Sequence, residues 1–149
     1  MGWAEFTGVV VAIVALVLLP IVWLITRRRW LARRGALFDC SVRLRTTTPG
    51  TGWVLGVARY RDDRLEWFPS FSLSLRPRLV FERPLTRTRG QRQPDQYESL
   101  LLMDDQRVIR LQRAEADSWE LSMAHEALTG LLSWLEAAPP GQGYQRPAG

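Results

Sequence analysis

An uncharged run of 21 residues, 6–26, constrains this chain more than any other feature. A helix of that length rises about 31 Å, which matches the hydrocarbon core of a bilayer. Pro20 lies inside the run, and transmembrane helices tolerate proline. A cleaved signal peptide and a buried core helix are the alternatives. A signal peptide needs a basic leader and a shorter apolar run, whereas no basic side chain lies in residues 1–5. The sequence therefore predicts an uncleaved membrane anchor with a basic extension over residues 1–34.

Basic residues follow the apolar run at once, and they predict its orientation. Cytoplasmic flanks of membrane helices are enriched in arginine and lysine. We therefore expect a single-pass protein with its N-terminus outside and its remaining chain in the cytoplasm. A second role for the cluster would be selection of anionic lipids. The cluster consists of Arg27, Arg28, Arg29, Arg33 and Arg34.

Charge is balanced in the remaining domain, which we assign to residues 37–138. This stretch holds 14 Arg and 14 acidic residues, so the net charge of +5 arises outside it. A neutral domain is a poor match for a nucleic-acid backbone, and we expect no nucleic-acid partner. The single cysteine, Cys40, cannot form an internal disulfide, which fits a reducing compartment.

Short β-type runs fill most of the domain. Alternation over residues 37–45 places Phe38, Cys40, Val42 and Leu44 on a core-facing side. Turn-forming residues at 61–64 and at 104–106 separate these runs. Residues 69–77 are predicted to be irregular, and residues 84–95 are predicted to form a polar loop. The predicted strands are 37–45, 53–60, 65–68, 78–83, 97–103, 107–113 and 119–123.

One amphipathic helix closes the domain. Its apolar residues follow the spacing of a single buried face, from Ala124 through Leu128, Leu131 and Leu135 to Ala138. Ser122 is the predicted N-cap, and residues 139–149 are predicted to be a disordered tail.

This element order predicts a mainly β (α+β) fold. It is similar to that of a pleckstrin-homology-like domain, in which seven antiparallel strands form a bent sandwich and a C-terminal helix closes one end. A four-stranded sheet with a separate hairpin is the alternative.

The pattern of residues gives little support for a catalytic site. Cys40 falls on the core-facing side of its strand, and the only histidine, His125, begins the closing helix. The adjacent aspartates at 62–63 and 104–105 suit hairpin turns better than an acid pair or a cation site. We predict no catalytic residue, metal site or cofactor.

Arginines are the remaining candidate site residues. One group lies within residues 76–92, a stretch that contains six arginines and a single acidic residue. This excess of positive charge suggests a surface for an anionic headgroup or an acidic partner. The alternative is a solvated loop. In lipid-binding pleckstrin-like domains, basic residues flank the loop between the first two strands. Arg43 and Arg45 match the near side, but residues 53–55 on the far side hold no basic residue. The group consists of Arg76, Arg78, Arg83, Arg87, Arg89 and Arg92.

Several stretches resemble an actinobacterial family of membrane-anchored proteins of unknown function, domain of unknown function 2550. Besides the anchor and its arginines, they are FDCSVRLR (38–45), GWVLGVARY (52–60), LEWFPSFSLSLRPR (65–78) and ELSMAHEALTGLLSWLEAAPPG (120–141). The resemblance implies a bacterial plasma-membrane protein and supplies no catalytic residue or ligand. Members are often encoded beside genes of the F-type ATP synthase, which hints at a partner.

Three functions follow as hypotheses. The first is a noncatalytic, membrane-anchored module that docks a protein partner or an anionic headgroup at the inner membrane surface. The second is an accessory subunit or assembly factor of a membrane complex such as the F-type ATP synthase. The third is an enzyme that acts on a membrane-associated substrate.

Overall fold

A computed structural model describes residues 2–44, 50–103, 105–113 and 117–137. Its first element, helix α1 (Trp3–Ala32), contains the whole predicted apolar run and Pro20. The helix has an 18-residue window of mean hydropathy 3.0 that is not buried in the protein, and it is long enough to cross a membrane. Such a helix near the N-terminus suggests membrane anchoring.

Helix α1 ends just before Gly35. This residue has φ +151°, and a Cβ there would lie 2.9 Å from the carbonyl oxygen of Tyr60. Only glycine fits that position without strain. The turn leads directly into the first strand, so the helix and the domain are joined by a very short connection.

The domain is an antiparallel sheet closed by one helix. In spatial order its main strands run β5-β4-β3-β1-β8-β7-β6, and the short β2 pairs with β1. The elements are β1 (Leu37–Arg43), β2 (Trp53–Val54), β3 (Gly56–Arg61), β4 (Arg64–Pro69), β5 (Leu79–Glu82), β6 (Arg87–Arg92), β7 (Gln106–Gln112), β8 (Ser118–Ala124) and α2 (His125–Glu136).

Strand β1 is shared by two halves of the sheet, which makes the sheet curl into a half-barrel. Its first residues, Leu37 to Asp39, pair with β3, and its later residues, Cys40 to Arg43, pair with β8. The predicted fold class, seven main antiparallel strands bent around a core and followed by a closing helix, is confirmed.

The core fills the concave side of the half-barrel. Cys40 and Val42 of β1 are buried there, and Phe38 and Leu44 pack against it, as the alternation predicts. Helix α2 contributes Leu128 and Leu131 to the same cluster. Its apolar face covers the sheet opening because a helix with one apolar stripe must bury it against another element.

The prediction of a polar loop at residues 84–95 is wrong, because strand β6 lies within this range. The strand pairs with β7. Its residues RTRGQR include no large apolar side chain, so the alternation that identifies a half-buried strand is missing. A short, arginine-rich edge strand of this kind resists pairing with other chains.

The strand predicted at residues 97–103 is also wrong. A 3₁₀ turn, Glu98–Leu100, replaces it. The Asp95 carboxylate accepts hydrogen bonds from the backbone N–H groups of Tyr97 (3.0 Å) and Glu98 (2.9 Å). This capping pattern favours a helical turn over a strand.

Two smaller predictions need correction. The strand predicted at residues 53–60 is interrupted at Leu55, because β2 pairs with the end of β1 and β3 with its start. Gly56 lies so close to the Trp67 indole that a Cβ would be 2.4 Å from its nitrogen. Ser122 is not the N-cap of α2, since it lies within β8 and donates to the Gln106 side chain; Ala124 holds the cap position.

Some predictions fall outside the described residues. These are the predicted tail at 139–149, the predicted helix residue Ala138 and the predicted turn residue Asp104. The neighbouring Asp105 has φ +68°, and Asp62 has φ +52° in the hairpin between β3 and β4. Aspartate tolerates this conformation better than most residues, which agrees with the predicted turn at 61–64.

Candidate functional site

The end of helix α1 is packed onto the outer face of the sheet. Leu31 forms a buried cluster with Val57 of β3 and Phe68 of β4. Beside them, Arg59 donates a hydrogen bond to the Leu31 carbonyl (3.2 Å) and forms a buried ion pair with Glu66 (2.7 Å). A cation is favourable at a helix C-terminus. The helix and the domain are therefore held together by packing and by charge.

A second attachment fixes residues 69–78, which we call the clamped loop. The Trp23 indole donates to the Leu73 carbonyl at 3.3 Å. The Arg27 guanidinium donates to the carbonyls of Ser74 (2.6 Å) and Pro69 (3.2 Å). Arg27 is only 4% exposed. Two side chains of the helix thus hold the first residue and the middle of the loop against the last turns of α1.

A groove of about 700 Å³ opens between the clamped loop and residues 53–55, which are β2 and the break that follows it. Apolar atoms of Trp53, Leu55 and Phe71 form much of its wall, and Arg76 and Arg78 lie at its edge. Both arginines are exposed. Within the described ranges, no ion pair is formed by either guanidinium. The full lining is Trp53, Val54, Leu55, Pro69, Phe71, Ser72, Ser74, Arg76, Pro77 and Arg78.

A smaller cavity of about 330 Å³ connects this region to the anchor. It shares Leu55 and Phe71 with the groove, and Leu24, Arg27 and Leu31 of α1 line its other side. The groove therefore lies beside the end of the anchor helix. An apolar wall with two unpaired cations suits a ligand that is partly apolar and carries negative charge.

The five juxtamembrane arginines have different environments. Arg27 clamps the loop, as described above. Arg28 forms an exposed ion pair with Asp39 at 3.3 Å, and Arg34 lies over the Trp30 ring at 4.4 Å from its centre. Arg29 and Arg33 are exposed. The sequence treats these residues as one cluster, whereas the structure gives the first of them a structural role.

The arginines of the predicted basic group also have different environments. An ionic network on the outer face of the sheet includes two of the candidate arginines, Arg43 and Arg92. Arg92 donates to both carboxylate oxygens of Glu98 (2.5 and 2.8 Å). Glu120 pairs with Arg43 (3.0 Å), Arg92 (3.2 Å) and Arg110 (2.9 Å). The Trp53 indole also donates to Glu98, which ties the network to the wall of the groove.

The network shifts the pKa values of its acids. Hydrogen bonds, first from Arg92 and then from the Asp95 N–H and the Trp53 indole, hold the pKa of Glu98 at about 2 although burial opposes them. Burial alone would raise the pKa of Glu120, but hydrogen bonds from Arg110, Arg43 and Arg92 lower it. Both carboxylates stay charged at neutral pH, so these arginines neutralise internal charge.

Three other predicted arginines, Arg83, Arg87 and Arg89, do not line the groove. Arg83 pairs with Asp63 and lies over the Trp134 ring. Arg89 donates to the Gln112 side chain. Arg87 is exposed on edge strand β6, and Arg45 lies outside the described residues. Of the predicted basic group, the structure brings only Arg76 and Arg78 together in the groove.

A nucleophilic role for Cys40 is unfavourable. Its side chain is 1% exposed, and burial raises the pKa of the thiol well above its ordinary value, with the charge of Asp39 adding to the effect. A thiol of this kind is inert at neutral pH. His125, by contrast, is exposed at the start of α2. Among the described residues, no group of three His, Cys, Asp or Glu side chains could hold a metal ion.

Sequence reasoning missed the clamp and the groove wall. The sequence places Arg27 only in the basic cluster and gives no sign that Trp23 contacts the domain, because a hydrogen bond to a loop carbonyl leaves no pattern in a sequence. One signal was present. In residues 70–75, serines alternate with Phe71, Leu73 and Leu75, although the structure has no strand there.

Comparison with known proteins places the chain in a family. A model of the family "Protein of unknown function (DUF2550)" matches residues 13–141. The chain belongs to the DUF2550 family. The predicted resemblance to this family is therefore confirmed.

Proteins similar to this chain occur in mycobacteria. The uncharacterized protein MT1352 of Mycobacterium tuberculosis is 30% identical over 146 residues, covering 96% of this chain and 97% of the relative. The uncharacterized protein ML1147 of Mycobacterium leprae is 30% identical over 139 residues, covering 91% and 92%. No solved structure matches the chain. The similarity extends over anchor and domain together.

Proposed function

We propose that this DUF2550 protein is a noncatalytic, membrane-anchored module that binds an anionic lipid headgroup in the groove beside its anchor. The observation that carries the proposal is the pair of exposed arginines, Arg76 and Arg78, at the edge of a partly apolar groove. Arginine binds phosphate oxygens in a bidentate manner, which makes it well suited to a phospholipid headgroup.

The position of the groove supports the same proposal. The loop that carries both arginines is hydrogen-bonded to Trp23 and Arg27, at the end of the apolar run of α1. If α1 spans a bilayer, the groove lies at the level of the headgroups. A headgroup could reach Arg76 and Arg78 without leaving its leaflet.

Cytoplasmic orientation and location in a bacterial plasma membrane are parts of this proposal. The arginines that follow the apolar run favour the cytoplasmic side. Anionic lipids give the cytoplasmic leaflet a negative surface potential, which attracts basic groups near the membrane.

Lipid retention tests the proposal. The full chain, purified in a neutral detergent, would be incubated with equal amounts of phosphatidylglycerol and phosphatidylcholine and examined by native mass spectrometry. We expect phosphatidylglycerol to remain bound in preference. Each arginine near an anionic surface contributes about 1 kcal/mol, so the double variant Arg76→Gln/Arg78→Gln should weaken that binding about 30-fold.

A charge-matched control separates the groove from net charge. Arg61→Gln/Arg87→Gln removes the same charge from two exposed arginines. Arg61 lies at the opposite end of β3 from the groove. This variant should bind phosphatidylglycerol as the natural chain does. Equal losses in the two double variants would contradict the proposal, as would equal retention of both lipids by the natural chain.

A protein partner is a second candidate, and one surface favours it. Tyr97, Leu100, Leu101 and Met103 are between 59% and 84% exposed within one short segment. Exposed apolar groups of this density are typical of protein interfaces. Such an interface would suit an accessory subunit of a membrane complex, including the F-type ATP synthase suggested by the sequence analysis.

Affinity purification in a mild detergent tests this second candidate. The full chain should co-purify with subunits of one complex, and Leu100→Ser/Leu101→Ser should abolish their recovery. Leu85, which is as exposed as Leu101, gives the control variant Leu85→Ser. Recovery that is the same with all three proteins would contradict a partner on this segment.

A further inference from the structure

The clamped loop carries large apolar side chains on its outside. Phe71 is 81% exposed and Leu73 is 65% exposed, and Leu75 of the same loop is also exposed. Soluble surfaces rarely present apolar side chains so close together without a function. In this loop the intervening residues are serines, whose side chains partly satisfy the loop backbone: Ser72 and Ser74 accept hydrogen bonds from the N–H groups of Ser74 and Arg76.

The loop is held at a defined height along the anchor helix. Leu73 is bonded to Trp23, which lies inside the apolar run 6–26. Trp23 precedes Arg27 by one helical turn, so the hydrogen bond lies about 6 Å towards the bilayer centre from that residue. Apolar faces of interfacial segments lie about 5–10 Å deep in a leaflet.

The attachment of the domain keeps the loop at that height. The Leu31, Val57 and Phe68 cluster and the Arg59 hydrogen bond fix the end of α1 to the sheet. Arg27 then holds Pro69 and Ser74, the residues on either side of the exposed apolar part of the loop. A helix that spans the bilayer must therefore carry Phe71 and Leu73 into the same leaflet as Trp23.

We infer that the clamped loop is a second membrane-contacting element, whose Phe71 and Leu73 side chains insert into the leaflet beside the anchor. The occupant of this apolar surface is the lipid bilayer itself, because Phe71 lines one cavity with Leu24 and Ile25 of the apolar run. Arg76 and Arg78 follow at the headgroup level, where cationic side chains are stable. The loop and the anchor together set the posture of the domain on the membrane.

This inference is independent of anionic-lipid binding and can be tested without it. The full chain would be placed in nanodiscs of phosphatidylcholine alone, with a nitroxide spin label on Leu73→Cys. Collisions with oxygen, which is concentrated in the bilayer, are compared with collisions with a water-soluble nickel chelate. Cys40 is buried, and the natural chain treated with the same reagent gives the background from that thiol.

Two matched positions calibrate the measurement. Val22→Cys reports the depth of the anchor next to Trp23. Leu85→Cys is a leucine of similar exposure in the 3₁₀ turn after β5, at the far end of the sheet from the clamped loop. We expect the oxygen-to-nickel ratio at Leu73 to match that at Val22 and to exceed the ratio at Leu85 several-fold. A ratio at Leu73 equal to that at Leu85 would overturn the inference.

A further variant tests the clamp as the cause. Trp23→Phe keeps an aromatic ring but removes the N–H that bonds to Leu73. With the label on Leu73, this substitution should lower the oxygen-to-nickel ratio, whereas the ratio at Val22 stays unchanged. An unchanged ratio at both positions would show that the hydrogen bond does not hold the loop in place.

Discussion

At the residue scale, the structure separates arginines that the sequence cannot separate. Arg92 and Arg43 belong to a network that neutralises Glu98 and Glu120. Arg76 and Arg78 occupy the same stretch of sequence as Arg92, yet they are exposed at the edge of the groove. The difference comes from chain folding, because β6 turns one arginine towards two buried acids.

The Glu98 carboxylate should contribute to stability in a pH-dependent way. Since its pKa is about 2 in the folded chain and 4.5 ordinarily, its contribution is complete above about pH 4.5 and is lost as the pH falls towards 2. Glu98→Gln should lower the free energy of unfolding by about 2 kcal/mol at pH 7. The difference from the natural chain should shrink between pH 4.5 and pH 2, as measured by denaturant titrations of the full chain in detergent.

Glu82 supplies the control for that prediction. It pairs with Arg64 at 3.5 Å on the exposed surface, where ion pairs contribute little. Glu82→Gln should change the free energy of unfolding by less than about 0.5 kcal/mol. Equal effects of the two substitutions would show that the network is not a significant source of stability.

At the element scale, helix α2 closes the half-barrel through one face. Leu131 is fully buried and Leu128 nearly so, whereas Ser133 is exposed on the other side. Leu132 and Leu135 are half-buried against the same core. The helix therefore acts as the cover of an apolar opening.

A charge placed on the buried face of α2 should destabilise the domain. Leu131→Asp buries an unpaired carboxylate and should lower the free energy of unfolding by several kcal/mol, about 3 or more. Ser133→Asp puts the same charge on the exposed face and should have little effect. Denaturant midpoints of the two full-chain variants give the comparison, and similar midpoints would mean that α2 does not close the fold.

Elements with a clear hydrophobic period were predictable from the sequence. The alternation in β1 and the helical spacing in α2 reflect burial on one side, which the sequence records directly. Strand β6 and the turn Glu98–Leu100 were not predictable, because cross-strand pairing and the Asp95 cap stabilise them. The groove was missed for a similar reason: its two walls, residues 53–55 and 69–78, are joined only by the folded sheet.

At the scale of the whole molecule, the anchor and the domain form one continuous unit. Helix α1 passes into β1 through a short turn, and Arg27, Leu31 and Arg59 connect the helix to the sheet. If α1 spans a bilayer, the membrane influences which surfaces of the domain are accessible. In the arrangement that we propose, the groove and the clamped loop face the leaflet next to the end of the apolar run.

Orientation and clamping should be separable functions of the juxtamembrane arginines. A variant with Arg28, Arg29, Arg33 and Arg34 changed to Gln should remain in the membrane but lose uniform orientation, because these residues supply most of the positive charge. Arg27→Gln should keep the orientation, since the other four remain. Protease accessibility of the domain in intact spheroplasts and in inverted vesicles measures both outcomes.

Retained orientation in the four-residue variant would contradict the charge-based assignment. Cleavage of the natural domain in intact spheroplasts would contradict the proposed cytoplasmic location. The Arg27→Gln variant serves as the matched control, because it removes one charge of the same cluster together with the two hydrogen bonds to the loop.

The central claim is that the groove holds a lipid headgroup, and photo-crosslinking from inside the groove tests it most directly. Leu55, which is half-exposed and lines the groove, would be replaced by a benzophenone amino acid in the full chain in native membranes. The same replacement at Leu85 gives the background. We predict that the Leu55 probe crosslinks an anionic phospholipid well above the Leu85 level and that Arg76→Gln/Arg78→Gln abolishes the excess. Crosslinks only to a protein, or equal lipid labelling from the two positions, would contradict the account.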